Sequence, residues 1–370
     1  MASEPARRAG GVSRPILVLP FWSRRTKKNR RANAPRSPRY ARSTVLWFAF
    51  ALVAGHLVLA ASMAYLFPRL RDPEYGRKLD RMQSRVAERP GRPLVVALGS
   101  SRVAMGLRPE VVEASGSNAV VFNHALIGSG PVMELMCLRR LLADGVRPDS
   151  LVIEVWAPFL YQEGHFREEV RIDVNRVRRD DLPTLRPYLT DPEKLDRETL
   201  RARLSPWHSH RFYLMSLISP GWLPFTLRRD FAFMGMDAWG WMPANAGPVT
   251  DADRDARFLK AIEYYGAFLP HWVASPDADR ALRELVALCR EQGIPAKLIV
   301  LPESARFRTI YSDESRVRAE AYYRDLPTWS GLECIDARKW LDESDFIDGF
   351  HLTAEGAKKF SEQFARKVLP

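Results

Sequence analysis

Cysteine is scarce: Cys137, Cys289 and Cys334 are all that 370 residues contain. An odd number excludes complete internal pairing, and no spacing among them resembles a zinc site. Cys137 and Cys289 fall inside apolar-periodic helical stretches, where a small buried hydrophobe is the expected role. Acidic residues are almost missing from positions 1–43, where Glu4 stands against twelve Lys/Arg. That imbalance accounts for nearly all of the net charge of +12, because residues 44–370 carry 44 basic and 43 acidic side chains. A near-neutral body removes the support that the high isoelectric point would lend to nucleic-acid binding. Formal charge then vanishes from Thr44 to Phe67, where His56 is the one residue type that titrates near neutral pH. No internal repeat is apparent, and no G-x-S-x-G elbow follows a strand.

The uncharged stretch of 24 residues exceeds the roughly 20 that a helix needs to cross a hydrocarbon core. A polybasic block directly before it predicts a cytoplasmic tail, disordered by composition, over 1–43 and a single-pass anchor over 44–67. The remainder is then extracytoplasmic, at the cell membrane. A cleaved signal peptide would have a shorter basic region and an apolar run of about 7–15 residues. Residues 68–92, with Pro68, Pro73 and Pro90, read as a stalk carrying a short helix near Tyr75–Ala87.

From Pro93 the pattern changes. Leu94–Leu98, Ala119–Phe122, Ser150–Val155 and Ala296–Leu301 are compact apolar runs that read as buried strands, with Leu332–Ile335 as a short fifth. Helical patterns alternate with them over 109–114, 131–143 and 277–292, and a closing helix spans about 354–368 with Thr353 as its N-cap. The expectation is an α/β fold, a parallel sheet covered on both faces, over 93–155 and 276–370. Residues 156–275 break the rhythm and hold six of the ten tryptophans, with helical runs at 201–217 and 253–268. An excursion of that length must contain structure of its own, and it reads as an inserted cap.

Ligands of a parallel sheet bind beyond the carboxyl ends of its strands. The first strand exits into Gly99-Ser100-Ser101-Arg102, the second into Asn123 with Gly128 beyond. The third exits into Glu154 and Trp156, the fourth into Pro302-Glu303-Ser304, and the last is followed by Asp348-Gly349-Phe350-His351. A serine hydroxyl needs a base to take its proton, and an imidazole near neutral pH is suited to that task. The imidazole in turn needs a carboxylate on its other nitrogen, which Asp348 could supply from a tight turn. Ser101, His351 and Asp348 are therefore the candidate catalytic groups, with the N–H groups of Ser101 and Gly128 as candidate oxyanion donors.

These blocks resemble the SGNH/GDSL hydrolase superfamily. Gly99-Ser100-Ser101 is similar to its first block, with Ser100 where Asp is usual. Asn123–Gly128 is similar to the second, whose Gly helps to form the oxyanion hole, and Asp348–Leu352 to the fifth. The third block departs: Glu154-Val155-Trp156 stands where an Asn normally reaches the oxyanion, leaving Asn123 as the candidate substitute. The resemblance covers 93–155 and 296–370. It resembles membrane-tethered branches that modify envelope polymers, such as the D-alanylation protein of teichoic acids and the alginate O-acetylation proteins, more than the small secreted lipases. It implies an esterase or O-acyltransferase acting on an acylated cell-envelope glycan or related molecule, without cofactor or metal. The rival expectation is a silent module of the same fold that holds a ligand at the membrane.

Other residues carry weaker expectations. His208 and His210 offer two metal ligands without a third nearby, which favours a surface pair. Trp207, Trp222, Trp239 and Trp241, with His208 and His210, could wall a sugar-binding cap or simply form its core. Glu303 and Arg308 at the fourth exit could bind polar substrate groups or pair with each other, and His124 reads as buried and structural. The partners implied are the bilayer, a glycan or acylated small molecule, and a membrane-bound acyl-donor protein. Nucleic acid is not among them.

Overall fold

The computed structural model describes residues 38–161, 163, 167–224, 227–230, 235–244 and 247–369. Most of the expected basic tail lies outside the described residues. Five strands form one parallel sheet: β1 (Leu94–Leu98), β2 (Val120–Asn123), β3 (Ser150–Glu154), β4 (Ala296–Val300) and β5 (Cys334–Asp336), in the order β2-β1-β3-β4-β5. The helices before and between the first strands are α1 (Pro38–Ala61), α2 (Pro73–Glu88), α3 (Ser101–Gly106), α4 (Pro109–Ala114) and α5 (Pro131–Ala143). After β3 come α6 (Ala157–Leu160), α7 (Glu168–Arg171), α8 (Leu182–Leu185), α9 (Pro192–Leu204), α10 (Pro206–Ile218) and α11 (Asp251–Tyr265). The chain then runs through α12 (Pro276–Glu291), α13 (Ala305–Arg308), α14 (Asp313–Ser330) and α15 (Ala354–Lys367).

Contacts divide the chain inside α1, at Val53–Ala54. The described residues before that point are plain helix. With the helical turn that follows, Ala41–Leu66 is long and apolar enough to cross a membrane.

Alternation along the strands builds two cores. Val96 of β1, opposite Phe122 and Leu151, packs with Ile153, Leu298 and Val300 under α5, α12 and α14. Val95, Ala97, Val121 and Ile299 face the other way, onto Val103, Val112, Ala357, Phe360 and Phe364 of α3, α4 and α15. Thr353 caps α15 by accepting the Gly356 N–H at 2.9 Å. The order β2-β1-β3 places a topological switch between β1 and β3, the position at whose carboxyl edge parallel sheets bind their ligands.

Two expectations need correction. Residues 68–92 are not a free stalk: Tyr75, Leu79 and Met82 of α2 are fully buried in the first core. The expected helix is present, over Pro73–Glu88, and its charges conceal its burial in the sequence, because Glu74 is buried against Arg176 and Lys78 against the carbonyls of Asn123 and Gly240. The helical run 201–217 is also two helices, broken at Ser205–Pro206, where the ring of Pro206 cannot donate to the preceding turn and starts α10 instead. The segment 156–275 shares the first core, through Leu160, Leu185, Leu195 and Tyr265 among others.

Candidate active site

The turn after β1 is built around a carboxylate. Ser100 caps α3, its hydroxyl accepting the Arg102 N–H at 3.2 Å, and Ser101 is thereby the first helical residue. Its N–H has no carbonyl to bond within the helix. Glu154, at the end of β3, accepts the Ser100 N–H through Oε2 at 2.7 Å and meets Arg102 through Oε1 at 3.3 Å. A side chain on Gly99 would put its Cβ 2.7 Å from that same Oε2, so only glycine fits there. Arg102 also donates to the carbonyls of Leu301 and Pro302 at 3.0 and 2.7 Å, and its guanidinium lies 4.5 Å over the Trp156 ring.

The loop before α15 carries the other two groups. Asp348 Oδ1 accepts the N–H of His351 at 2.8 Å and of Phe350 at 3.2 Å, folding the chain into a tight turn. Gly349 takes φ +99°, and the space at its Cβ is occupied by Phe307, Phe258 and Ser304, each within about 3.3 Å. The result is a relay: Asp348 Oδ2 lies 2.7 Å from His351 Nδ1, and His351 Nε2 lies 2.8 Å from Ser101 Oγ. With the imidazole N–H on Nδ1 toward Asp348, Nε2 is free to accept the serine proton. Burial works against the Asp348 charge. The facing His351 and the two backbone N–H groups outweigh it and hold the carboxyl below its ordinary value.

Aromatic rings back this relay. Phe350 stacks on Trp156 at 5.4 Å and meets Tyr265 and Phe307 at 5.2 Å each. A groove of about 520 Å³ opens beside Asp348 and Phe350, with Arg257, Lys260 and Tyr264 of α11 along its other wall. The second-strand loop is tied in by the Leu126 N–H, which donates to the Gly99 carbonyl at 3.0 Å. Gly128 turns with φ +80°, and its carbonyl accepts Nε–H of Arg171 at 3.0 Å.

Not every expected residue joins this arrangement. Asn123 cannot substitute for the missing third-block amide: both Nδ2 hydrogens are committed, to Val103 O at 2.7 Å and Leu107 O at 2.8 Å. It is fully buried and fixes α3 instead. Glu303 is buried too, accepting Trp156 Nε1–H at 2.7 Å, and burial raises its carboxyl despite the nearby Arg102. Arg308 donates to the backbone carbonyls of Glu303 and Arg338 rather than to the Glu303 carboxylate. Both line a separate cavity of about 340 Å³ with Tyr311, Tyr323 and Arg338.

The proposed aromatic wall is dispersed. The Trp241 indole donates to Met105 O at 2.7 Å beneath Arg108, and Arg85 covers the Trp239 ring at 4.4 Å. Trp207 and His208 are exposed, whereas His210 is buried and its imidazole is driven down to about 4 by that burial. Among the described residues no group of three or more candidate ligands gathers for a metal. His124 is buried against Cys137 at 3.4 Å.

Sequence reasoning gave no role to Arg102, Arg171, Tyr265 or the α11 cations. Arg102 was readable only as the residue beside Ser101; Tyr265, Arg257 and Lys260 lie in the helical run 253–268, whose pattern gives a helix but not which site it faces, and Arg171 lies in a segment without a recognisable pattern.

No protein-family model matches the chain, and no curated protein matches it. Among solved structures, it is similar to a Bacteroides fragilis protein provisionally described as an acylhydrolase. The identity is 13%, the likeness covers 80% of this chain and 98% of the other, and the TM-score is 0.35.

Proposed function

We propose that the chain is a serine esterase or O-acyltransferase of the SGNH type, anchored by α1 and acting outside the cytoplasm on an acylated envelope glycan or related molecule. The observation that carries this reading is the unbroken relay Ser101–His351–Asp348 at the carboxyl edge of the sheet. In the proposed reaction His351 Nε2 takes the Ser101 proton as Oγ attacks the acyl carbonyl, and Asp348 stabilises the imidazolium. The N–H groups of Ser101 and Gly128 receive the developing oxyanion. Collapse expels the alcohol, which takes the proton from His351 and leaves an acyl-Ser101. Water or a sugar hydroxyl then attacks the acyl carbonyl as His351 accepts its proton, and collapse breaks the acyl–Oγ bond, with Ser101 taking the proton back from His351. The groove along α11, with Arg257 and Lys260, suits a polar or anionic carrier of the acyl group.

The test is labelling of the full chain, in detergent, with a fluorophosphonate probe beside Ser101→Ala. Labelling of the wild type alone supports the enzyme. Absence of labelling in a folded wild type would favour the silent binding module.

A further inference from the structure

One surface of the cap is apolar without serving the core. Leu200 and Leu204 on α9, Trp207 and Ile218 on α10, and Trp222 just beyond are each more than half exposed. This edge is continuous with the end of the apolar helix. Tyr65, Leu66 and Phe67 share one hollow with Leu217, and Leu57, Ala60 and Ala61 share another whose far wall is charged, with Arg178, Arg179, Asp180 and Arg203.

His56 makes the joint. Its Nε2–H donates to the carbonyl of Leu204 at 2.9 Å. Leu204 ends α9, so its carbonyl is one of those a helix terminus leaves without an intrahelical donor. In water such a carbonyl needs no protein partner; in hydrocarbon it does. A lone imidazole in an apolar helix has the same need, and the two groups satisfy each other.

We infer that the α9–α10 corner is immersed in the leaflet facing the domain, as a foot beside the anchor whose partner is the lipid bilayer. The inference rests on reading Ala41–Leu66 as a membrane span. The remaining chemistry of the corner agrees with lipid. Trp207 and Trp222 join an apolar ring to a polar N–H, as side chains at the membrane interface do. Arg201 and Arg203 in the last turn of α9, and Arg211 on α10, can extend along their apolar stems to lipid phosphates. The opposite face of α10 carries Tyr213, which packs on Ile127, beside Gly128. Immersion therefore brings the candidate active site to the bilayer surface.

The test reconstitutes the full chain in phosphatidylcholine vesicles containing a phosphatidylcholine with a diazirine in its acyl chain. Cross-linked peptides are then mapped after illumination. Lipid should be found on two segments, 44–67 and 200–222. The double variant Leu204→Glu, Ile218→Glu should lose label several-fold from 200–222 and keep it on 44–67, with an unchanged near-UV circular dichroism spectrum. Label on 44–67 alone in the wild type would overturn the immersed corner while leaving the span intact. Label on neither segment would overturn the span and the corner with it. Label on 44–67 alone, with a two-chain mass in detergent by analytical ultracentrifugation that the double variant reduces to one chain, would reassign the surface to self-association.

Discussion

The carboxylate of Glu154 holds the backbone of Ser100 at 2.7 Å, so the residue that precedes the candidate nucleophile hangs from the end of the neighbouring strand. The same carboxylate neutralises Arg102, which follows the nucleophile. Ser101 is thus clamped from both sides by one buried side chain, at a strand exit where the resemblance leads one to expect an oxyanion donor.

Glu154→Ala should destabilise the protein by about 3–5 kcal/mol, because Arg102 is left charged, buried and short of its counter-ion. Glu154→Gln should cost less, since an amide oxygen can still accept the Ser100 N–H. Urea unfolding of the two variants would measure the order, and an unaltered Glu154→Ala midpoint would remove the clamp from the account.

Asp348→Asn should lower fluorophosphonate labelling by roughly 10⁴-fold while leaving the fold intact, as loss of the orienting carboxylate does in comparable relays. Its pH behaviour has a definite sign. The Asp348 carboxyl is held below its ordinary value, so its stabilisation is complete above about pH 4 and lost as pH falls through the lower folded value. The stability difference between wild type and Asp348→Asn should therefore be flat from neutral pH to about 4 and shrink below it.

Lys78 provides the opposite case. Burial lowers its ammonium from 10.5 to about 8, so the unfolded chain binds the extra proton between those values. Stability attributable to Lys78 must then rise with pH from about 8 to about 10.5. Unfolding free energies of wild type minus Lys78→Met across that range should climb. A falling difference would mean that the charged form is the favoured one inside.

Trp241→Ala should act on stability. Its indole is bonded to Met105 and packed under Arg108, so the loss should fall somewhat under the ~3–5 kcal/mol of a fully buried tryptophan. A thermal melt measures this. An unchanged midpoint with weakened glycan binding would restore the sugar-platform reading.

A reporter fused after Pro370 should be active only outside the cytoplasm, given the basic block before α1. Cytoplasmic activity would reverse the orientation and with it the envelope substrate.

Local patterns were the readable part. Leu94–Leu98 is a continuous apolar run because both faces of β1 are covered, and it was placed to the residue. Helices over 109–114 and 131–143 were equally plain, each opened by a proline in its first turn. By contrast α14 was not anticipated: its charged surface dilutes the apolar spacing, and Pro327 sits within it. In the site, Ser101, Asp348 and His351 could be singled out because each follows a strand or precedes the closing helix, where local pattern and chemistry coincide. Glu154 was visible at its exit, but its bond to a backbone N–H 54 residues away has no sequence mark. Asn123 was misread for the same reason, since an amide's partners are decided by the fold and not by its neighbours in the chain.

α2 also sets where the protein can be cut. A fragment begun at Pro93, where the alternating pattern starts, would lack Asp72, Glu74 and Lys78. Arg140 and Arg176 would lose the Asp72 carboxylate that both engage at 2.8 Å. The Ile127 N–H would lose Glu74, and the carbonyls of Asn123 and Gly240 would lose the Lys78 ammonium. Such a piece would begin with an open hydrophobic trough under the loop that carries Gly128. A shortened version for crystallisation or assay should instead begin near Pro68, keeping the whole of α2, and should be handled in detergent because it retains the exposed apolar corner of α9 and α10.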